Sequence, residues 1–303
     1  MRRTFSISVV NPGMHSMRPE EIVSFLVHRG RHVVRTASCW WFEDQWQSRI
    51  YHSFPSHRLI APSQAEIGEL FRQLPSALGV RFLEPVQPGR RQSFIWVRRR
   101  PYDLHVLSAK SRNQTRRGTE DCEVRKLSWE ELIASAQEAH TDTINRHKAP
   151  RAQSLGFDVG LEQCPAYEGW GALVNGRLAA YAVTLTVEDW VHILLQRSVT
   201  AHLKSRPNNA LIFCLVREAL GRENISTVSY GLEPLSSLES LEHFKLGMGF
   251  IKEPVRQRIV VAPRVKLVLN PITAKPLSAL ADLLPKNPRL QKIAGFCRFA
   301  QNR

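Results

Sequence analysis

Residues 191–250 decide the fold: VHILLQRSVT (191–200), AHLKSRPNNA (201–210), LIFCLVREAL (211–220), GRENISTVSY (221–230), GLEPLSSLES (231–240) and LEHFKLGMGF (241–250). The apolar run over 191–200 reads as a strand, and residues 210–220, stopped by Gly221, read as a buried helix. A second strand over 225–231 follows, then an amphipathic helix closing on Lys245-Leu-Gly-Met-Gly-Phe250. The polar loop between the first strand and the buried helix carries the chemistry. A helix start presents unpaired N–H groups and a partial positive charge, so it attracts phosphate. Pro207 suits that position because the first turn needs no N–H there.

Upstream of this stretch, GALVNGRLAAYAVTL (171–185) places Asn175-Gly176 between two apolar runs, the signature of a two-residue type I′ hairpin. Ser128-Trp-Glu-Glu131 is a capping box opening a helix through Ile133, Ala136 and Ala139; a short strand over 122–125 precedes it and a polar linker over 145–151 follows. The segment 108–117, ended by Gly118, spaces Lys110, Arg112, Arg116 and Arg117 over neighbouring helical faces.

The first hundred residues predict a helix from Arg18-Pro-Glu-Glu to Gly30, a strand over 32–41, and a helix capped by Ser63-Gln-Ala-Glu66 with Ile67, Leu70, Phe71 and Leu74 at helical spacing. Strands over 80–83 and 93–99 flank a turn at 87–90. The expected organisation is an α/β (α+β) chain with a smaller N-terminal α/β unit over 1–100, a larger unit over 101–270 and a basic tail over 271–303.

Composition sets the function classes. A net charge of +15 over 303 residues favours polyanions: nucleic acid, an anionic membrane face or a phosphorylated cofactor. Residues 90–126 alone hold eleven Lys and Arg against four Asp and Glu. That window reads either as a solvated basic face or as a track for phosphate or RNA, with Lys110, Arg112, Arg116 and Arg117 as its polyanion-binding residues. No apolar run is long enough for a membrane span, and the first ten residues lack the apolar core of a signal peptide, so a cytoplasmic protein is expected. The five cysteines are scattered without any C-x-x-C pair, which fits reduced thiols and no metal site. Walker A, G-x-S-x-G and H-E-x-x-H patterns are absent, leaving nucleotide hydrolysis, serine hydrolysis and zinc proteolysis unsupported.

The order of basic helix, strand, helix, hairpin, strand, loop, buried helix, strand, helix and final strand resembles the GNAT acyltransferases, and within them the FemAB-like aminoacyl transferases. The residues carrying the resemblance are Lys110-Ser-Arg112 with Arg116-Arg117, the Asn175-Gly176 hairpin, Ser205-Arg-Pro-Asn-Asn-Ala210, and Phe244-Lys-Leu-Gly-Met-Gly-Phe250, over roughly 102–262. It implies a GNAT-like mixed central sheet flanked by helices, with residues 1–100 as a degenerate partner half of the same fold. It also implies transfer of an acyl or aminoacyl group to an amine acceptor by direct attack. Oxyanion donors would come from the main chain around Gln196, Ser198 and Val199. Arg206 and the amides of Asn208, Asn209 and Ala210 would hold donor phosphate. Coenzyme A-binding members carry glycines at this loop and this chain has none, so acyl-CoA and aminoacyl-tRNA both stand as donors, with tRNA suited by the net charge.

Tyr230 and Glu233, at the carboxyl end of the 225–231 strand, are the candidates for proton donor and base. His192 alternates with apolar residues and reads as a packed or hydrogen-bonded histidine rather than a base. Lys245 reads either as a snorkelling surface lysine or as a partner for donor phosphate or substrate carboxylate. The rival from another class is a non-catalytic RNA-binding or peripheral membrane-surface protein on the same fold.

Overall fold

The protein is described by a computed structural model covering residues 17–43, 49–90, 92–146, 160–234 and 239–268. Pro19 opens helix α1 (Pro19–His28), as its fixed φ favours. The single strand predicted over 32–41 is instead a hairpin of β1 (Val33–Arg35) and β2 (Trp40–Glu43). Thr36 turns the chain there, its N–H and hydroxyl both donating to the Cys39 carbonyl at 2.9 and 3.2 Å. Next come β3 (Ile50–Phe54) and α2 (Gln64–Gln73), whose cap is the predicted one: the Ser63 hydroxyl accepts from the Glu66 N–H at 3.1 Å. β4 (Gly79–Glu84) and β5 (Ser93–Arg99) match the predicted pair of strands.

Helix α3 (Ala109–Asp121) continues through Gly118, where the sequence predicted its end. A Cβ there would lie 2.7 Å from the Arg206 carbonyl oxygen, so glycine serves a close helix–backbone approach and not a stop signal. Then follow β6 (Glu123–Leu127), α4 (Trp129–Arg146), β7 (Tyr167–Val174), β8 (Arg177–Val187), β9 (Trp190–Ser198), α5 (Pro207–Gly221), β10 (Thr227–Leu232), α6 (Glu239–Gly247), β11 (Ile251–Val261) and α7 (Pro263–Val268). Asn175 and Gly176, at φ 51° and 76°, join β7 to β8 as the type I′ pattern requires. The capping residues predicted for α6 at 236–238 and the tail after 270 lie outside the described residues; so do residues 147–151 of the predicted 145–151 linker, whose first two residues instead complete the last turn of α4.

The eleven strands of the described residues form one mixed sheet, ordered β1-β2-β3-β4-β11-β5-β10-β9-β8-β7-β6. β6 to β9 form an antiparallel ladder, and β10 runs parallel to β9. On the far side of β10 lies β5, contributed by the first hundred residues. β11 pairs with β5 through 251–255 and with β4 through 256–261, stitching the N-terminal strands to the rest. That stitch includes a buried ion pair, Glu84 to Arg256 at 2.8 Å, with Arg258 on the other carboxylate oxygen at 2.6 Å. Apolar residues of α5 pack on one face against Trp96, Trp170, Ala180 and Ala182, while α4 packs Leu132, Ala136 and Ala139 on the other against Tyr181 and Val183. α2 covers a separate core with Trp41, Val80 and Phe82. No helix among the described residues is long and apolar enough to cross a membrane.

Much of the basic window is spent inside the fold. Arg100 donates to the carbonyls of Leu220, Arg222 and Ile225 at 2.5 to 2.6 Å, capping the carboxyl end of α5. Arg99 pairs with Glu253, Arg125 with Glu131, and Lys126 with Glu168 and Glu218. Lys110, Arg116 and Arg117 remain exposed on α3, and Arg112 is half-buried.

Candidate functional site

β9 and β10 pair in parallel only from Trp190/Thr227 to His192/Ser229, and the strands then part. Both carry an irregularity where they separate. On β9, Ile193 and Leu195 oppose Thr184 and Val183, so Leu194 is an unpaired bulge residue and stands exposed. On β10, Tyr230 and Gly231 fill a register shift against β5 between Ser229 and Leu232. Gly231 sits at φ +83°, a conformation that a side chain would strain. Bulges at a strand end re-aim side chains, and here they direct Tyr230 across the gap.

The Tyr230 hydroxyl donates to Gln196 Oε1, spanning the gap. Gln196 Nε2 donates to Asn208 Oδ1 at 2.9 Å, and Asn208 Nδ2 donates to the Ser198 hydroxyl at 3.2 Å. Three sequence-predicted donor residues and one predicted catalytic residue thus share one hydrogen-bonded chain. Burial pushes the Tyr230 phenol well above its usual range, so it stays protonated and able to donate at neutral pH.

The other predicted residues lie close by in different circumstances. The Ser198 N–H donates to Thr143 Oγ1 at 3.0 Å, and the Val199 N–H to the Ala179 carbonyl at 2.9 Å. Those two amides are therefore occupied, whereas the bulge at Leu194 interrupts the ladder two residues before Gln196. Arg206 caps α5 in the left-handed region at φ 55°, a conformation costing a non-glycine residue roughly 1–2 kcal/mol and held where surroundings over-determine it. The Asn209 and Ala210 amides both donate to the Arg206 carbonyl, at 3.1 and 3.2 Å, and Asn209 Nδ2 meets Met248 Sδ at 3.5 Å. With proline at the first helical position, Asn208 carries the first-turn amide that the helix's own bonding leaves over. Glu233 follows β10; its N–H donates to the Phe94 carbonyl at 2.8 Å, and its carbonyl accepts from Arg81 at 3.4 Å and Gln257 at 3.5 Å.

Lys245 is the residue whose setting the sequence left open. It does not snorkel: it is 5% exposed, and Nζ donates to the Tyr230 carbonyl at 2.8 Å. The ammonium lies 4.6 Å from the Tyr230 ring centroid and 5.5 Å from that of Trp96. Burial lowers its pKa to about 8, with Glu242 opposing the shift. The helical spacing of Leu241, Phe244 and Met248 marked the apolar face of α6, but Lys245 next to it could not be placed on that face from spacing alone.

His192 takes the hydrogen-bonded role. Its Nε2 lies 3.0 Å from His57 Nδ1, and His57 Nε2 lies 2.9 Å from Glu188 Oε2, which Arg58 also binds. Trp190 stacks on His57 with centroids 4.4 Å apart. This group sits on the paired segment of β9 and β10, with His192 in the last pair before the strands part.

No family model matches the chain, and no curated protein matches it in sequence. Solved structures do. FemX aligns with a TM-score of 0.57 over 86% of this chain and 95% of its own, at 9% identity. The C-terminal domain assigned to a lysylphosphatidylglycerol synthetase of Agrobacterium fabrum aligns with a TM-score of 0.52 over 80% of this chain and 88% of its own, at 12% identity. At such identities the likeness is one of architecture, and it extends across both the N-terminal strands and the larger half. The chain therefore has a GNAT-like mixed α/β fold and resembles the FemAB-like proteins of that fold.

Proposed function

We propose that the protein is an N-acyltransferase that moves an acyl or aminoacyl group to an amine acceptor by direct attack at the gap between β9 and β10. The observation supporting this is the gap itself: a parallel pair that parts between two bulges, bridged by Tyr230 and Gln196, with a buried lysine beneath. Such a gap exposes main-chain N–H groups to a developing oxyanion, and the bulge at Leu194 is where β9 has such groups to offer. Tyr230, kept protonated by burial, is the proton donor to the leaving group. Lys245, near neutrality in its pKa, supplies positive charge or takes a proton through short rearrangement, and Glu233 serves as base for the incoming amine.

The donor docks on the α5 side, with Arg206 and Asn208 as its phosphate contacts. Both acyl-CoA and aminoacyl-tRNA fit this reading. The glycine-free loop and the single spare amide make a poor pyrophosphate cradle, which favours aminoacyl-tRNA, and exposed Lys110, Arg116 and Arg117 on the adjoining α3 extend positive charge along the same side.

The test is binding of an acyl-CoA panel and of aminoacyl-tRNAs to the wild type and to the Arg206→Ala/Asn208→Ala variant. Donor binding is expected to drop at least about tenfold in the variant, the loss of one charge-assisted contact. Unchanged donor binding would sink the placement of the donor. A non-catalytic RNA-binding protein is the second reading, favoured by the same three exposed cations on α3. In that case Lys110, Arg116 and Arg117→Ala should flatten the salt dependence of RNA binding while no donor is turned over.

A further inference from the structure

Arg197 follows Gln196 on β9, so strand alternation sends its side chain to the opposite face of the sheet from the Tyr230–Gln196–Asn208 chain. Its cross-strand partner is Tyr181, which packs against Leu132, Ala136 and Ala139 of α4. There the guanidinium is half-buried and poorly satisfied. Of its five N–H donors, one reaches the Gln196 carbonyl at 2.9 Å, and the buried Nε has no partner. Among the described residues no carboxylate pairs with it, and burial lowers its pKa, with Tyr181 and Tyr230 opposing the shift as the nearby groups.

Two other arginines removed from solvent, Arg222 and Arg256, are compensated by carboxylates. Arg222 holds Glu168 at 2.8 Å and Arg256 holds Glu84 at 2.8 Å. A desolvated guanidinium without a counter-charge destabilises the fold, and such a cost persists where the charge meets an anion only during function. We propose that Arg197 is the receptor for an anionic group, a carboxylate or a phosphate, on the amine that accepts the acyl group. This rests on the transferase reading above and names its acceptor as an anionic amine. The position of Arg197 puts it on the acceptor side. The donor contacts Arg206 and Asn208 lie on the α5 face, Arg197 lies on the α4 face beside the same gap, and two reactants in direct transfer approach one point from different sides. The planar fork of arginine matches carboxylate or phosphate oxygens in pairs, which a lysine at this position could not do.

The experiment compares thermal shifts of wild type, Arg197→Met and Arg197→Lys with four amines: L-lysine and its decarboxylated counterpart cadaverine, and O-phosphoethanolamine and ethanolamine. The amine that bears a carboxylate or phosphate is expected to raise the melting temperature of the wild type while its counterpart without that group does not, and Arg197→Met is expected to lose that rise. The responding pair distinguishes carboxylate from phosphate. Equal shifts with the amines that lack an anionic group, shifts retained in Arg197→Met, or no shift with any of the four overturns the proposal. Without ligand, Arg197→Met is expected to melt at or above the wild-type temperature, because it removes an uncompensated charge. A clear fall would reveal an internal counter-charge and overturn the proposal as well. Separate measurement of acyl-CoA and aminoacyl-tRNA binding keeps the two readings apart. Anion recognition through Arg197 with no donor bound would retire the transferase and leave the receptor; donor binding with no Arg197-dependent anion effect would do the reverse.

Discussion

Acidification should unfasten the N-terminal unit from the larger half through one histidine pair. His57, in the loop after β3, and His192, on β9, are both almost fully removed from solvent and share a hydrogen bond. Because Glu188 accepts from His57 Nε2, His57 Nδ1 is the acceptor for His192 Nε2–H; a proton added at His57 Nδ1 would set two donors against each other. Burial, aided by Arg58, lowers His57 to about 4 from 6.5, with Asp189 opposing. Burial and then His57 lower His192 to about 3, with Glu188 opposing. Folded-state pKa values below the unfolded ones mean the unfolded chain binds more protons, so stability is full above about pH 6.5 and lost as pH falls toward those values. Between about pH 7.5 and pH 4.5 each histidine contributes a loss of roughly 2–3 kcal/mol, so the pair loses at least roughly 4 kcal/mol. The assay is urea unfolding at both pH values for wild type and a His57→Phe/His192→Val variant. Carboxylates such as Glu131, held low by its hydrogen bond from Arg125, titrate in both proteins and cancel in the difference. The variant should lose about 4 kcal/mol less than the wild type over this interval, and parallel losses in both would refute the reasoning.

Three further perturbations follow from particular contacts. Gly118→Ala places a methyl 2.7 Å from the Arg206 carbonyl oxygen and 3.1 Å from Ala210 Cβ, so it should cost about 1–3 kcal/mol and lower the melting temperature; an unchanged melting curve would count against the α3–α5 packing. Arg100→Met strips the donors from the last carbonyls of α5 and should cost about 2–3 kcal/mol, with faster amide exchange concentrated at residues 216–225; uniform exchange would refute a local cap. Lys245→Met should leave stability within about 1 kcal/mol, since a desolvated charge is exchanged for an apolar chain of similar length. Transfer should fall by about 10²-fold or more in the same variant; undiminished turnover would remove Lys245 from the mechanism.

Local physics explains what was legible. Serines at 63 and 128 cap helices because their hydroxyls satisfy orphan N–H groups within three residues, and Asn175-Gly176 turns because both residues tolerate positive φ. The polar loop before α5 and the strand end that carries Tyr230 were legible for the same reason: each is a boundary between a period-2 run and a helical run. Gly118 misled because a helix stop and a close packing contact use the same residue. The break between β1 and β2 went unread because Thr36 and Cys39 form a turn without glycine or proline.

The sequence by itself determined the kinds of elements, their order and the place of the polar loop, since capping, turn chemistry and periodicity act between residues a few positions apart. It also carried enough of that order to suggest a GNAT-like fold. Only the tertiary structure decided that β5 and β11 bind the N-terminal strands into one sheet, that Arg99, Arg100, Arg125 and Lys126 of the basic window are consumed in internal contacts, and that Lys245 is buried beneath Tyr230. It alone placed Arg197 on the opposite face from Gln196 with no counter-charge among the described residues. The physical reason is range. Strand partnership, desolvation and charge compensation are set by groups more than a hundred positions apart in the chain, as in His57 with His192 and Glu84 with Arg256, and no local pattern encodes which of them will meet.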